Sequence, residues 1–332
     1  MSRILQKIYA TTAHLGLAAA LGLSSCTAST AAPANPQGRA VQLVIPFAPG
    51  GVTDLIARLI QPRLSEALGQ TVVISNRPGA GGVVATSYVA KSEPDGHTLF
   101  LSWDSHTINS IAMKDLPYDI FRDFAPVTLM VRMPLIMGAW GGLPVDNLQG
   151  LLELARRNPG KYNFASIGVG SSNRLHAELL NATAGVDIVH VPYAGGGPAT
   201  TAIRSGEVAY GFFSYGALRN FIQEGRIKPL AVTGAKRLPE LPDVPTLQES
   251  RFPGFEAYSW VGIYVPAATP AAEIKRLNQA FVAVLRDPEI EQKLRKLSVE
   301  VVASSPQALR DFERGDYEKW LAFTRQRNMS FD

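Results

Sequence analysis

Apolar and polar positions along this chain fall into two repeating textures, short apolar runs and longer amphipathic ones. From Arg39 the run "AVQLVIPF" reads as a strand, and "TDLIARLIQPRLSEALG" reads as a helix. Thr53 is the expected N-cap of that helix, Gly69 its stop, and Pro62 is expected to kink it. "TVVISN" (71–76) is a second strand, "RPGAGG" a turn, "VVATSYVAKS" (83–92) a helix, "EPDG" a turn and "HTLFLSW" (97–103) a third strand. Strand and helix alternating in this way predict a parallel α/β sheet.

The alternation starts again further on. Helices are predicted over 147–158, 171–185, 198–206 and "GALRNFIQEG", and strands over 162–168, 187–193, 207–214 and 227–234. Between the two blocks lies "APVTLMVRMPLIMGAW" (125–140), long enough to leave one domain and enter another. A second crossing is expected at "YSWVGIYVPAATP" (258–270), after a proline-rich loop, and the remainder reads as helical. The expected architecture is α/β, with two α/β domains joined by crossing strands and a ligand cleft between them. Domain 1 is discontinuous, 39–137 plus 260–332, and domain 2 is 138–259.

Length and composition agree with this division. A chain of 332 residues is large for one domain, and 46% hydrophobic with 18% charged residues describes a globular protein. The net charge of +4 is too small for a nucleic-acid surface, and no basic run with interleaved aromatics is present, so no nucleic-acid partner is expected. No internal sequence repeat is evident.

The first residues read as an export address. Arg3 and Lys7 precede the apolar "LGLAAALGL" and then "LSSC", so residues 1–25 are expected to be a signal peptide and 26–38 a flexible tether. The only cysteine, Cys26, stands where a lipoprotein signal places its lipidated residue. Cleavage after an alanine in "STAAPA" is the other reading. On the first reading the protein is periplasmic, touches a membrane only through a lipid anchor, and works as a monomer. No intrachain disulfide is possible.

Three glycine loops sit between a strand and a helix. In "PFAPGGVTD", Phe47, Ala48, Pro49, Gly50, Gly51, Thr53 and Asp54 are candidate ligand contacts. The two glycines let backbone approach a ligand, the prolines stiffen the loop, and the helix start directs unpaired N–H groups and its positive dipole end to the same place. That is an anion site without a charged side chain. In "SIGVGSSNRLH", Gly168, Gly170, Ser171, Ser172 and Arg174 are candidates, with one serine suited to N-capping and Arg174 able to pair with a carboxylate. "VPYAGGGPAT" again lies between strand and helix and offers Tyr193, Ala194 and Gly195 as candidates, with Tyr193 either walling the cleft or packing at the strand end. "SWDSHTIN" follows a strand end, which places Asp104, Ser105 and His106 toward the cleft, with Trp103 as a stacking surface. Enzyme signatures are weak. There is no phosphate loop, no complete dinucleotide fingerprint and no metal-ligand spacing among the histidines, so neither cofactor nor metal is expected. A hydrolase using Ser171 with one of the histidines is the remaining enzymatic alternative.

In order along the chain, "IPFAPGGVTD", "ISNRPGAGG", "AKSEPDGHTL", "LPYD", "RDFAPVT", "VDIVHVPYAGGGPA", "IKPLAVTGAKR", "LPDVPTLQES" and "VPAATP" closely resemble the Bug family, the extracytoplasmic receptors of tripartite tricarboxylate transporters. The resemblance implies a type II periplasmic-binding-protein fold. It implies capture of a small carboxylate between the domains and delivery to the membrane subunits of a transporter; a sensor for a signalling partner is the alternative. By position it makes Phe47 to Asp54 the first carboxylate loop, Gly168 to Arg174 its counterpart, and Tyr193 to Gly196 the cleft border. The chain departs from the family pattern at Arg174, where histidine is frequent, at Ser214, where an acidic or amide residue is common, and at Ile120, where proline follows "PYD". Arg174 and Ser214 fall near the expected pocket, so the ligand's identity does not carry over from a relative, and Arg174 is expected to read a second acidic group on it.

Overall fold

A computed structural model describes residues 38–168 and 170–326. The signal, the tether up to residue 37 and Cys26 lie outside the described residues. Among those described, no helix is long and apolar enough to cross a membrane.

The chain begins with β1 (Val41–Ile45), α1 (Val52–Leu68), β2 (Val72–Asn76), α2 (Val83–Ala90), β3 (Thr98–Trp103), α3 (Ser105–Ala112) and β4 (Phe124–Pro134). All six residues of β3 are buried, the pattern of a strand covered on both faces. The first helix starts from Gly51 rather than Thr53, which is its second residue, and ends at Gly69 in the left-handed region at φ 63°. It runs unbroken through Pro62, whose ring removes only the hydrogen bond to the Arg58 carbonyl.

Next come β5 (Ile136–Trp140), α4 (Leu148–Arg157), β6 (Asn163–Ser166), α5 (Ser172–Ala184), β7 (Val189–Pro192), α6 (Gly196–Ser205), β8 (Tyr210–Phe213), α7 (Tyr215–Gln223) and β9 (Ile227–Val232). The chain then returns through β10 (Tyr258–Pro266), α8 (Ala271–Leu285), α9 (Pro288–Arg295), β11 (Glu300–Val301) and α10 (Pro306–Gln326). One sheet has the order β11-β4-β10-β3-β1-β2 and the other β7-β6-β8-β5-β9. In each, three strands run parallel and a crossing strand, β10 or β5, lies antiparallel beside the third. The two sheets are thus topological copies, although no sequence repeat betrays it. In consequence the loops after β1 and β6, after β2 and β7, and after β3 and β8 are equivalent pairs, and all lie at carboxyl ends of parallel strands, where ligands of such sheets bind.

Only Leu135 separates β4 from β5. Thr233, wholly buried, brackets the two passages of chain. Its Oγ1 accepts from the Leu135 N–H at 2.8 Å and donates to the Ala257 carbonyl at 2.7 Å. Its own N–H donates to the Leu135 carbonyl. Thr233→Val keeps the shape but leaves a buried donor and acceptor unsatisfied, so unfolding by denaturant is expected to show a loss of about 1–3 kcal/mol. A loss below about 0.5 kcal/mol would contradict the bracket.

Candidate functional site

A cavity of about 390 Å3 opens where loops from both sheets meet. From the first sheet come Phe47, Gly50, Gly51, Thr53 and, at the end of β3, Trp103. From the second come Ile167, Asn173 at the start of α5, Gly196 and Gly197 at the start of α6, and Phe213 and Ser214 just before α7. Leu135, between the sheets, completes the wall. Four helices therefore begin at one cavity, each with N–H groups that no helical carbonyl satisfies. No lining residue is acidic.

Three polar atoms reinforce this. Trp103 Nε1, Asn173 Oδ1 and Ser214 Oγ are buried and have no hydrogen-bond partner among the described residues, and all three residues line the cavity. Ser214 is only 3% exposed and is the N-cap of α7, yet its hydroxyl makes no capping bond. Buried polar groups are ordinarily paired, and leaving one unpaired costs about 1–3 kcal/mol. Two of the three, an indole N–H and a hydroxyl, are donors suited to an anionic oxygen.

The first loop is shaped by Asp54, which faces away from solvent at 3% exposure. One carboxylate oxygen accepts from the Gly50 N–H at 3.0 Å and from Arg58 Nε at 2.8 Å. The other accepts from Asn76 Nδ2 at 3.1 Å, and that amide also donates to the Phe47 carbonyl at 3.0 Å. Burial alone would raise the Asp54 pKa, but Arg58, the Gly50 N–H and Asn76 outweigh it and hold the carboxyl below the usual range. Asp54 is accordingly a positioning residue: it fixes the loop and is not itself on the lining. Sequence reasoning missed Asn76, whose role depends on β2 lying beside β1.

Other expected contacts are employed elsewhere. Ser171 caps α5, accepting from the Arg174 N–H and donating to the Gly168 carbonyl at 2.8 Å, so its hydroxyl is held within its own loop. Ser172 bonds Ser259 across the two sheets at 2.9 Å. Arg174 is buried on α5, its Nε 3.6 Å from Glu178, and is not among the cavity-lining residues. Tyr193 donates its hydroxyl to Glu207 at 2.7 Å. Ala48, Pro49, Ser105, Ala194 and Gly195 are likewise off the lining, Gly195 serving as the N-cap of α6. His106 is packed among Phe100, Phe124 and Tyr264, and burial pushes its pKa down to about 3.

Gly168 and Gly170 face the first sheet's loops rather than the lining. A Cβ on Gly168, at φ +133°, would lie 3.3 Å from Gly81 Cα. One on Gly170 would lie 1.8 Å from Asn109 Oδ1 and 3.2 Å from Asn109 Cα. Asn109, on α3, also donates to the Gly81 carbonyl. Gly170→Ala is expected to force this contact apart and lower stability by about 1–3 kcal/mol in denaturant titrations. An unchanged midpoint would show that the approach is not close in solution.

Solved structures share this fold. The structure of Rpa4515 from R. palustris with adipate has a TM-score of 0.85 at 35% identity, covering 88% of this chain and 98% of that one. MatC (Rpa3494) from Rhodopseudomonas palustris with bound malate has a TM-score of 0.82 at 33% identity, covering 86% and 98%. The two-sheet fold is thus a periplasmic-binding-protein fold, type II in its strand order. BugT of Bordetella pertussis (strain Tohama I) is 32% identical over 315 residues, covering 93% of this chain and 97% of the relative. The family model described as "Tripartite tricarboxylate transporter family receptor" matches residues 56–329. The chain belongs to that family of receptors, the Bug or TctC-like proteins.

Proposed function

We propose that this protein is an extracytoplasmic, periplasmic receptor that captures a small carboxylate in the cavity and delivers it to the membrane subunits of a tripartite tricarboxylate-type transporter. The observation that carries the reading is the convergence of helix starts from both sheets on a cavity with unpartnered buried donors and no acidic lining residue. Two relatives solved with adipate and malate support a carboxylate as the ligand. The protein performs no chemistry on its ligand.

In this reading, residues 39–137 with 260–332 form one domain and 138–259 the other, and the ligand bridges them. A group bound by both halves favours whichever arrangement lets both touch it, so differential affinity drives closure. Leu135 and the Thr233 bracket lie where the chain passes between sheets and form the hinge. The protein acts as a monomer, exported by its N-terminal segment and tethered through Cys26.

The test is thermal melting of chain that has been unfolded and refolded to remove carried ligand. At about a hundred times its Kd, a bound carboxylate adds roughly 2.7 kcal/mol, which shifts melting by several degrees. A shift with one class of carboxylate is the expected result. A folded sample that no carboxylate shifts would refute the reading.

A further inference from the structure

One acid lies where the two halves of the protein meet, and the cavity does not use it. Asp104 follows β3 of the first sheet, is 1% exposed and is not a lining residue. Ser172, the first residue of α5 in the second half, stands beside it with backbone N–H and hydroxyl, and Ser259 of β10 stands beside it with its hydroxyl. The two hydroxyls bond each other at 2.9 Å, which occupies one of their two hydrogens. A carboxylate has about four acceptor sites and no donor. Asp104 therefore faces fewer donors than an ion calls for, and neither of its oxygens has a well-formed hydrogen bond. A neutral carboxyl fits this place better, because its O–H donates to a serine oxygen while its other oxygen accepts from the Ser172 N–H or the remaining hydroxyl.

The charges around it act in the same direction. Asp316 on α10 bears on Asp104 as a like charge. On the same helix Glu313 is itself pushed up to about 8 by burial, and Lys319 is exposed. His106 on α3 and His176 on α5 are kept neutral by burial, both at about 3. Arg174 on α5 faces Glu178, and the tyrosines of β10 carry no charge near neutral pH. The Ser172 N–H and the two hydroxyls favour the ion, but loss of water outweighs them and pushes Asp104 up to about 7.

We propose that Asp104 is a proton-operated latch: closure of the two halves over ligand buries it against Ser172 and takes up one proton, and opening returns that proton to solvent. The inference rests on the receptor reading and deepens it by naming a regulation of its site. When α5 withdraws, water reaches the carboxyl and its pKa returns toward the ordinary value of 3.8. Proton and ligand then favour the same arrangement, and by linkage each raises the affinity for the other. The sign follows: affinity rises as pH falls from about 8 and levels off near the ordinary carboxylate range.

The test is calorimetric titration of the refolded full chain with adipate and with malate, in MOPS and in Tris, whose heats of protonation differ. The difference between the two apparent enthalpies gives the protons taken up. The wild type is expected to take up about half a proton per ligand at pH 7 and close to none at pH 9, and to bind about tenfold more tightly at pH 6 than at pH 8. Asp104→Asn, which keeps a neutral side chain of the same shape, should bind without proton uptake and without that pH dependence. Glu313→Gln removes the other strongly raised acid, which faces His106 and Tyr264 within the first half, and should leave the uptake unchanged. Binding without proton uptake, or uptake that persists in Asp104→Asn, overturns the inference and leaves the receptor reading standing. If no carboxylate binds the folded chain, both fall.

Discussion

Asp54→Ala is expected to lower carboxylate affinity by at least about tenfold and stability by about 1–3 kcal/mol. The substitution removes the acceptor shared by the Gly50 N–H, Arg58 and Asn76, and so loosens the loop from Phe47 to Gly50, whose Phe47 carbonyl the same Asn76 amide holds. The site depends on backbone N–H groups held still before the ligand arrives, because ordering a loosened loop on binding subtracts from affinity. Arg58 is half exposed, so its ion pair with Asp54 adds little by itself; the loss comes from the Gly50 N–H and the half-buried Asn76 amide, whose shared acceptor is the buried Asp54 carboxylate. Titration calorimetry and denaturant unfolding on the same preparation separate the two effects. Unchanged affinity with reduced stability would make Asp54 a folding residue only. The low Asp54 pKa also gives a sign: its contribution is complete above its unfolded pKa, near 3.8, and is lost as pH falls through the folded value.

The second large effect has the opposite sign. Asp104 and Glu313 are buried, and Asp316 half-buried, beside α3 and β10. Asp316 accepts from Thr107, Trp260 and Trp320. Glu313 lies 3.5 Å from His106. Asp104 has no well-formed hydrogen bond, though Ser172 and Ser259 stand beside it. Loss of water raises all three carboxyls, Asp104 to about 7 and Glu313 to about 8. With His106 held neutral, the Glu313 contact is that of an imidazole with a protonated carboxyl over most of the neutral range, not an ion pair. A carboxyl whose folded pKa exceeds its unfolded one takes up its proton first in the folded state. Stability therefore rises as pH falls from about 8 and levels off near the unfolded values, around pH 4. For a carboxyl raised by about three units the swing is on the order of 4 kcal/mol. Denaturant unfolding at pH 5 and pH 8 should show the protein more stable at pH 5. Asp104→Asn and Glu313→Gln, which mimic the protonated forms, should flatten the dependence and gain stability at pH 8. A wild type equally or more stable at pH 8 would show that these acids stay ionised in the fold.

Much of the fold was legible because it is periodic. The first strand, the first helix and the two crossings announced themselves through apolar runs and glycine stops. The third helix, α3, did not. Ser105, His106, Thr107 and Asn109 are all buried, so its inward face is polar and reads locally as a turn. The acids of α10 were hidden for the same reason: "RDFERGDYEKW" looks like a solvated helix face, and only tertiary packing buries Glu313 and brings Asp316 against Thr107 and Trp260. At the cavity, glycines and prolines were the local signal for the loop Phe47–Thr53, whereas Ser214 stood out only through the family resemblance. Asn173 carries no local signal, because it comes to line the cavity only where α5 meets the other sheet. Arg174 was the natural cation to choose from the sequence, being beside a glycine loop, yet the helix turns it toward Glu178.

A crystal structure with the carboxylate that gives the largest melting shift tests the central claim most directly. The account predicts a carboxylate oxygen within about 3.2 Å of Trp103 Nε1, at the end of β3, or of Ser214 Oγ, at the start of α7. An acid held outside this cavity, or inside it with Trp103 and Ser214 still unpaired, would contradict it.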